Sequence, residues 1–528
     1  MKLAKLTVAL MAFITIPVFC IYLLKMTDAN PLRLSLALTI DAAKSAAMIS
    51  ALLSVILGVA LFPFMSKRER YKHVSGPEIL VSRAAIKHAN RTLDVTKESK
   101  GLLVHPDIAI NKQDECGNLF VFGMQGSGKS TIIKSWLSQL MNRSEIVLIY
   151  DEKREYTELF LNENVALLSP GDERSVVWDL SADITDVSSA RTFANSVIHQ
   201  TSNEPFWSDS ARLVVAGALM CLVRRGNSWN WGDLHALLFN DSCALQQELK
   251  EHFPEAALFA DPENKTSASV LAVVSSQLSW IQYLSEVQHS DTQVFSFSSW
   301  FSADEPKKLI VQTNPAYRSM SQSLFSAALS MLTNRVLALT DSSRRGIWLV
   351  LDELAAIPKN DSIEIWLSRC RSKGARTIAG TQSISQIQSI YGDKSAETIL
   401  SLFFTVIALR VGAAGQSGAV ASQTIGKRRV ILTSVTTDST GRKSETQSEQ
   451  DMPVVTAEDL IHLSKPDKKG IKGYLTIAGT NAVYELKWPY PNLPKLAADF
   501  VPAVVSTDNH SHTTSGLSSK STNPFIKD

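Results

Sequence analysis

The stretch "NLFVFGMQGSGKSTII", residues 118–133, constrains this chain more than any other. Four apolar residues lead into a turn holding three glycines, and a lysine with two hydroxyl residues then opens a second apolar run. Gly123, Gly128, Lys129 and Ser130 satisfy the pattern G-x-x-x-x-G-K-[ST]. Glycines let a backbone wrap closely round a phosphate with successive N–H groups facing inward, and the helix after them adds its positive end. The pattern predicts a strand at Leu119–Phe122 and a helix over 131–141. A chance match in a chain this long has a probability on the order of a few per cent, and the flanks reduce it further. Gly123, Met124, Gln125, Gly126, Ser127, Gly128, Lys129, Ser130 and Thr131 are therefore the expected nucleotide-binding residues. Lys129 is expected to reach the β and γ phosphates and Ser130 to hold Mg²⁺.

Hydrolysis needs a second, acidic element on a neighbouring strand. "IWLVLDELAAI", residues 347–357, supplies one, because a fully apolar run ends in Asp352 and Glu353. Asp352 is the candidate for organising Mg²⁺, and Glu353 the candidate for polarising an attacking water. "ARTIAGTQS" predicts another buried strand at 376–380, with Gln382 at its tip as a candidate γ-phosphate sensor. Between the two strands, 362–373 reads as a helix ending in "RCRSK". Arg369, Arg371 and Lys373 there either complement the helix dipole or include an arginine finger that reaches a neighbouring subunit. Further strands at 146–150, 309–313 and 405–409 alternate with helices, and 318–339 carries a stripe of Met320, Leu324, Ala328, Met331 and Leu332. The expected class is a parallel α/β domain with its ligands at the strand C-terminal ends.

Length and composition bound the rest. A chain of 528 residues exceeds one ordinary core and suggests two or three domains. A net charge of only +2 excludes an argument for a polyanion partner from bulk charge. Five scattered cysteines with no C-x-x-C pair predict reduced thiols and no cysteine-held metal. Two apolar runs, 6–24 and 46–65, each match the roughly 20 residues an α-helix needs to cross a bilayer. Lys67, Arg68, Arg70 and Lys72 stand directly after the second run, which favours the cytoplasmic side for the remainder of the chain.

Between about 185 and 297 the chain is rich in alanine, serine and leucine, which predicts an inserted, mostly helical subdomain. Its tryptophans, Trp207, Trp229, Trp231 and Trp280, sit among aliphatic neighbours and read as core rather than as base-stacking platforms. Hairpins are expected at 428–450 and 473–488. Lys427, Arg428, Arg429, Arg442 and Lys443 around the first of them read as solvated surface. From about 506 the tail is polar and is expected to be disordered.

Two N-terminal spans, then "GMQGSGKS", "LVLDELAAI" and "GTQSISQIQSIYG" in that order, with a helical insert before the acidic motif, resemble the coupling proteins of bacterial conjugation, the TraD/TrwB group of type IV secretion ATPases. The resemblance runs from about residue 1 to 500 and rests on the joint order of the motifs. It implies a RecA-like P-loop nucleotide-binding domain in two parts, 67–182 and 301–503, that carries an inserted all-α domain at 183–300. A membrane anchor with two transmembrane helices at 1–66 stands before it, and a disordered tail at 504–528 closes the chain. It further implies a multi-pass protein of the bacterial inner membrane, with N-terminus and ATPase domain cytoplasmic, that works as a homohexamer. The implied cofactors are ATP and Mg²⁺. The implied partners are DNA, single-stranded in transfer and held nonspecifically, together with relaxase and relaxosome proteins and the inner-membrane components of a type IV secretion channel. Carried over position by position, Lys129 and Ser130 are the P-loop pair, Asp352 and Glu353 the acidic pair, Gln382 the third-motif glutamine, and Arg371 the finger in trans, with Arg369 its competitor. Competing readings are a chromosome translocase similar to the FtsK and HerA proteins and a nucleotide-gated scaffold that recruits secreted proteins.

Overall fold

The computed structural model describes residues 71–503 apart from 201–203, 227, 288–292, 302–306, 343, 438–440 and 442. The expected spans at 6–24 and 46–65, Arg442 and the tail from 504 lie outside the described residues. The chain divides into two compact units, the smaller of which comprises, among the described residues, 71–75 and those described within 429–451. It is built on a three-stranded sheet in which Lys427–Thr437 lies between Tyr71–Ser75 and Lys443–Pro453. Arg429 there pairs with Asp451 at 3.2 Å, both side chains more than half exposed.

The larger unit holds a ten-stranded sheet. Its strands are β1 Glu78–Val81, β2 Leu119–Phe122, β3 Ile146–Asp151, β4 Val165–Leu168, β5 Lys308–Gln312, β6 Ile347–Leu351, β7 Ala375–Thr381, β8 Thr405–Ala408, β9 Ile471–Ile477 and β10 Ala482–Trp488. They lie in the order β1-β10-β9-β8-β2-β7-β6-β3-β5-β4. Every pairing from β8 to β4 is parallel. β9 runs antiparallel to both β8 and β10. The sheet is thus mixed, which corrects the expectation of a wholly parallel one. The connection from β9 to β10 is too short for the crossover that parallel neighbours require, so the second hairpin enters the sheet antiparallel.

The parallel strands are buried on both faces, which is why they read as unbroken apolar runs. Alternate residues of β2 divide between two cores. Leu119 and Val121 pack in one core with Ile132, Ile133 and Trp136 of the helix α1, Lys129–Met141. Phe120 and Phe122 belong to the other, with residues of α2 Val187–Val197, α3 Pro205–Arg224, α4 Arg318–Leu337 and α5 Asp361–Arg369. Helix α4 buries its expected stripe, but Phe325, Ala327, Leu329 and Thr333 on its other faces are buried as well. It lies between the sheet core and α2, so its amphipathic pattern is weaker than that of a surface helix.

From residue 187 to 287 the described secondary structure is helical. A capping box opens α2, with the Asp186 carboxylate accepting from Ser189 N at 2.7 Å. Helix α3 has 20 residues and a mean hydropathy of 1.4, enough to cross a membrane by length and composition, yet two thirds of it is buried within the protein. Its apolar character is the signature of a core helix. Trp229 and Trp231 are buried, and Trp207 and Trp280 pack against the same core. Trp231 is 2% exposed and packs against Trp178, Phe193 and Trp280 while its indole donates to Trp178 O at 2.9 Å, so its ring is unavailable for stacking on a base.

At the N-terminal ends of the strands a buried charge cluster forms. Arg376, the second residue of β7, is fully buried and lies 3.4 Å from Glu145 and 3.6 Å from Glu115. Arg143 donates to the same Glu115 at 2.9 Å. A buried strand tolerates an arginine here because two carboxylates meet it.

Candidate functional site

The site is built at the opposite edge, where the strand C-terminal ends meet the loop between β2 and α1. That loop is pinned on both sides: Gly123 N donates to Thr381 O of β7 at 3.2 Å, and Met124 N to Arg410 O beyond β8 at 2.8 Å. Gly128 adopts φ +103°, and a Cβ there would lie 2.6 Å from the Ile471 side chain of β9. Only glycine satisfies both demands. Gln125 and Gly126 stand exposed at the loop tip, while Ser127 is buried with its Oγ lacking a hydrogen-bond partner among the described residues. An orphaned buried hydroxyl beside the free amides of a helix N-terminus fits a phosphate group.

Lys129 is almost fully buried, and its Nζ donates to Gly123 O at 2.8 Å. Burial lowers its pKa, while the nearby Glu353 and Asp352 carboxylates act to keep it charged. Ser130 Oγ donates to Asp352, 2.9 Å from Oδ2 and 3.1 Å from Oδ1. The two residues expected to share Mg²⁺ are therefore in contact. Among the described residues no group of three or more His, Cys, Asp or Glu could hold a metal. Ser130 and Asp352 themselves fit Mg²⁺, which takes one or two protein oxygens and completes its shell with phosphate and water.

Glu353 is buried, and its Oε1 accepts from Thr381 Oγ1 at 2.9 Å and from Gln382 N at 3.2 Å. Burial raises its pKa against the opposing effect of those hydrogen bonds. Its Oε2 has no hydrogen-bond partner among the described residues, leaving one acceptor free for a water. Gln382 thus touches the acid through its backbone N–H. The strand that ends just before it, β7, lies between β2 and β6. This corrects the expectation that the acidic strand neighbours the P-loop strand: they are one strand apart, and the contact from Ser130 to Asp352 spans the gap.

Arg369, the last residue of α5, and Arg371, in the turn before β7, are both exposed. The Arg371 guanidinium lies over the Phe404 ring at 4.8 Å. Strands rise about 3.3 Å per residue, so β7 separates Arg371 from Gln382 by roughly 20 Å. Within one chain neither arginine reaches the loop around Lys129.

Three polar residues at this edge, two of them in contact with the acids, escape a reading of the sequence. Thr381, at the end of β7, holds Glu353. Lys153, just beyond β3, lies 3.5 Å from Asp352 Oδ2. Asp151, the last residue of β3, is fully buried and accepts from Thr157 N at 2.7 Å and Thr157 Oγ1 at 2.8 Å. The signal available for all three is position, since polar residues at or just beyond the end of a buried parallel strand lie at the ligand edge.

Burial pushes the Asp151 carboxyl up from 3.8 to about 6, and the charge of Glu155 adds to the effect. The folded state then binds this proton more tightly than the unfolded chain, so stability falls as pH rises from about 4 to about 6. Asp151→Asn keeps an acceptor for Thr157 and removes the charge. Its melting temperature relative to the parent is expected to climb across that window and level off above it, by at most about 3 kcal/mol of stability. A difference that stays flat from pH 4 to 7 in thermal melts contradicts this account.

Comparison with known proteins adds the family. A family model described as the type IV secretion-system coupling protein DNA-binding domain matches residues 102–488. The chain belongs to the type IV secretion-system coupling proteins. Within that family it is 26% identical over 418 residues to coupling protein TraD of Escherichia coli K12, a match covering 76% of this chain and 56% of TraD. The coupling-protein chain thus spans little more than half the length of that relative. Its fold is similar to the bacterial conjugative coupling protein TrwB in an unbound form, with a TM-score of 0.69 and 20% identity over 82% of this chain and 97% of TrwB. TrwB in complex with ADP and Mg²⁺ gives a TM-score of 0.68, again at 20% identity, over 82% of this chain and 98% of TrwB.

Proposed function

We propose that this coupling protein binds ATP with Mg²⁺ between the P-loop and the ends of β6 and β7, and hydrolyses it to drive DNA through a type IV secretion channel during conjugation. The observation that carries the reading is the convergence of three distant segments: Ser130 on Asp352, Thr381 and Gln382 on Glu353, and Lys129 beside both acids. In this reading Ser130 and Asp352 hold the metal, which neutralises phosphate charge. Lys129 binds the β and γ phosphates, Glu353 orients and deprotonates the attacking water, and Gln382 responds to the γ-phosphate. Arg371, or else Arg369, acts on a neighbouring subunit's nucleotide, because its own lies across the sheet. That requires a ring, and the reading includes a homohexamer.

Residues 1–66 anchor the protein in the inner membrane by two spans, with the nucleotide domain at 67–182 and 301–503 in the cytoplasm and the all-α domain at 183–300 inserted in it. DNA is held through its backbone, delivered by a relaxase and passed to the inner-membrane secretion components. The match to a DNA-binding family domain supports the DNA partner. The test is ATP turnover and DNA binding by the detergent-solubilised full chain over a salt series. Turnover is expected to rise with DNA, and affinity to fall about tenfold for every two phosphates neutralised over a fourfold rise in salt. No turnover with or without DNA sinks the proposal.

A further inference from the structure

The four residues after β3, Glu152 to Glu155, send their side chains to four different places. Glu152 pairs with Arg318 at the start of α4, at 3.2 Å. Arg154 donates to Asn314 at 3.2 Å and lies over the Phe500 ring at 4.1 Å. Glu155 pairs with Lys134 of α1. Lys153 reaches Asp352 at 3.5 Å. Arg154 holds a left-handed backbone, φ +64°, a conformation that costs a non-glycine residue energy and persists only where its surroundings enforce it. The root of Lys153 is therefore fixed by its neighbours on both sides. Its tip is not enclosed, since the side chain remains 45% exposed while the carboxylate it meets is 8% exposed.

Beside the Lys129 ammonium and the Tyr156 hydroxyl, whose charges and dipoles it also feels, Asp352 meets two side chains of different kinds. Ser130 Oγ is a neutral donor, whereas Lys153 brings a full positive charge to a nearly buried carboxylate. Mg²⁺ needs that same carboxylate, and it brings twice the charge in a smaller radius. A half-exposed ammonium is readily displaced, because water can solvate it once it leaves.

We propose that Lys153 is a positioning residue that stands in for the metal: it neutralises Asp352 until Mg²⁺ arrives and then yields the carboxylate. This rests on the proposed nucleotide reading of the site. Lys153 thereby keeps the cradle attractive to phosphate when no metal is bound, since without it Lys129 alone would face the two carboxylates of Asp352 and Glu353 and the remaining negative charge would repel an incoming nucleotide. The cost is a competition, because Mg²⁺ must displace the ammonium to reach its ligand. Nucleotide binding without metal depends on Lys153, and nucleotide binding with metal does not.

The test is binding of a fluorescent ADP analogue to the full chain, titrated in EDTA and again in saturating Mg²⁺. Lys153→Met is expected to weaken binding in EDTA by about fivefold or more and to leave it unchanged or tighter in Mg²⁺, while Lys153→Arg restores the parent behaviour. Lys153→Gln, closer to the parent in polarity, is the second variant should the methionine disturb the fold, and thermal melts report that directly. Equal weakening under both conditions overturns the proposal, because a general packing or charge role would act in both. No weakening in EDTA overturns it as well. Failure of the parent protein to bind the analogue at all removes the nucleotide reading itself, an outcome distinct from either.

Discussion

Glu353→Gln is expected to cut ATP turnover by about a hundredfold or more while leaving nucleotide affinity nearly unchanged. The substitution keeps an acceptor for Thr381 Oγ1 and Gln382 N, which donate to Oε1 at 2.9 and 3.2 Å. What it removes is the basic oxygen opposite them, the one with no hydrogen-bond partner among the described residues. An amide cannot take a proton from water, so the nucleophile is held without being activated. Because burial already works against the charge on this carboxylate, neutralising it should not lower stability. Steady-state phosphate release and analogue titration give the two numbers, and a mating assay gives the third. Transfer should vanish with turnover. Transfer that survives unchanged while turnover disappears favours a recruitment scaffold over a motor.

Lys129→Ala is expected to act one step earlier, weakening nucleotide binding by about a hundredfold or more, since removing one partner of a buried charged contact costs several kcal/mol. The Lys129 ammonium is buried, and its bond to Gly123 O keeps it inside the loop that it would help close on a phosphate. Lys129→Arg should not rescue it, because a planar guanidinium does not fill the place of a compact ammonium in so tight a turn. Isothermal titration with ATP and Mg²⁺ checks both variants. Retention of near-parent affinity by the alanine variant would place the phosphates somewhere else.

The parts of this fold legible in the sequence are those fixed by neighbours along the chain. The run Leu119–Phe122 and the helix after it come from the glycines and from local apolar spacing, and β6 shows itself as five buried residues ending in two acids. The order of strands is not legible. Nothing near residue 380 says that β7 will lie between β2 and β6, because that choice is made by partners far apart in sequence. Hence Asp352 and Glu353 can be found while their supports cannot: Thr381 binds Glu353 from a different strand, and Lys153 binds Asp352 from beyond a third. Residues 473–488 read only as a hairpin, with Thr476, Glu485 and Lys487 interrupting the apolar positions. The structure makes β9 and β10 interior members of the ten-stranded sheet. Helix α4 misleads in the other direction, since a segment packed on several sides buries serines that look like a solvent face.

The wall that Ile471 builds against Gly128 ties together segments more than three hundred residues apart. A ribosome releases Gly128 long before it has made Ile471, so the phosphate cradle has no back to rest on for most of translation. A half-made chain therefore lacks this wall, and a nonsense mutation anywhere between the GKS signature and β9 removes it while sparing every residue of that signature.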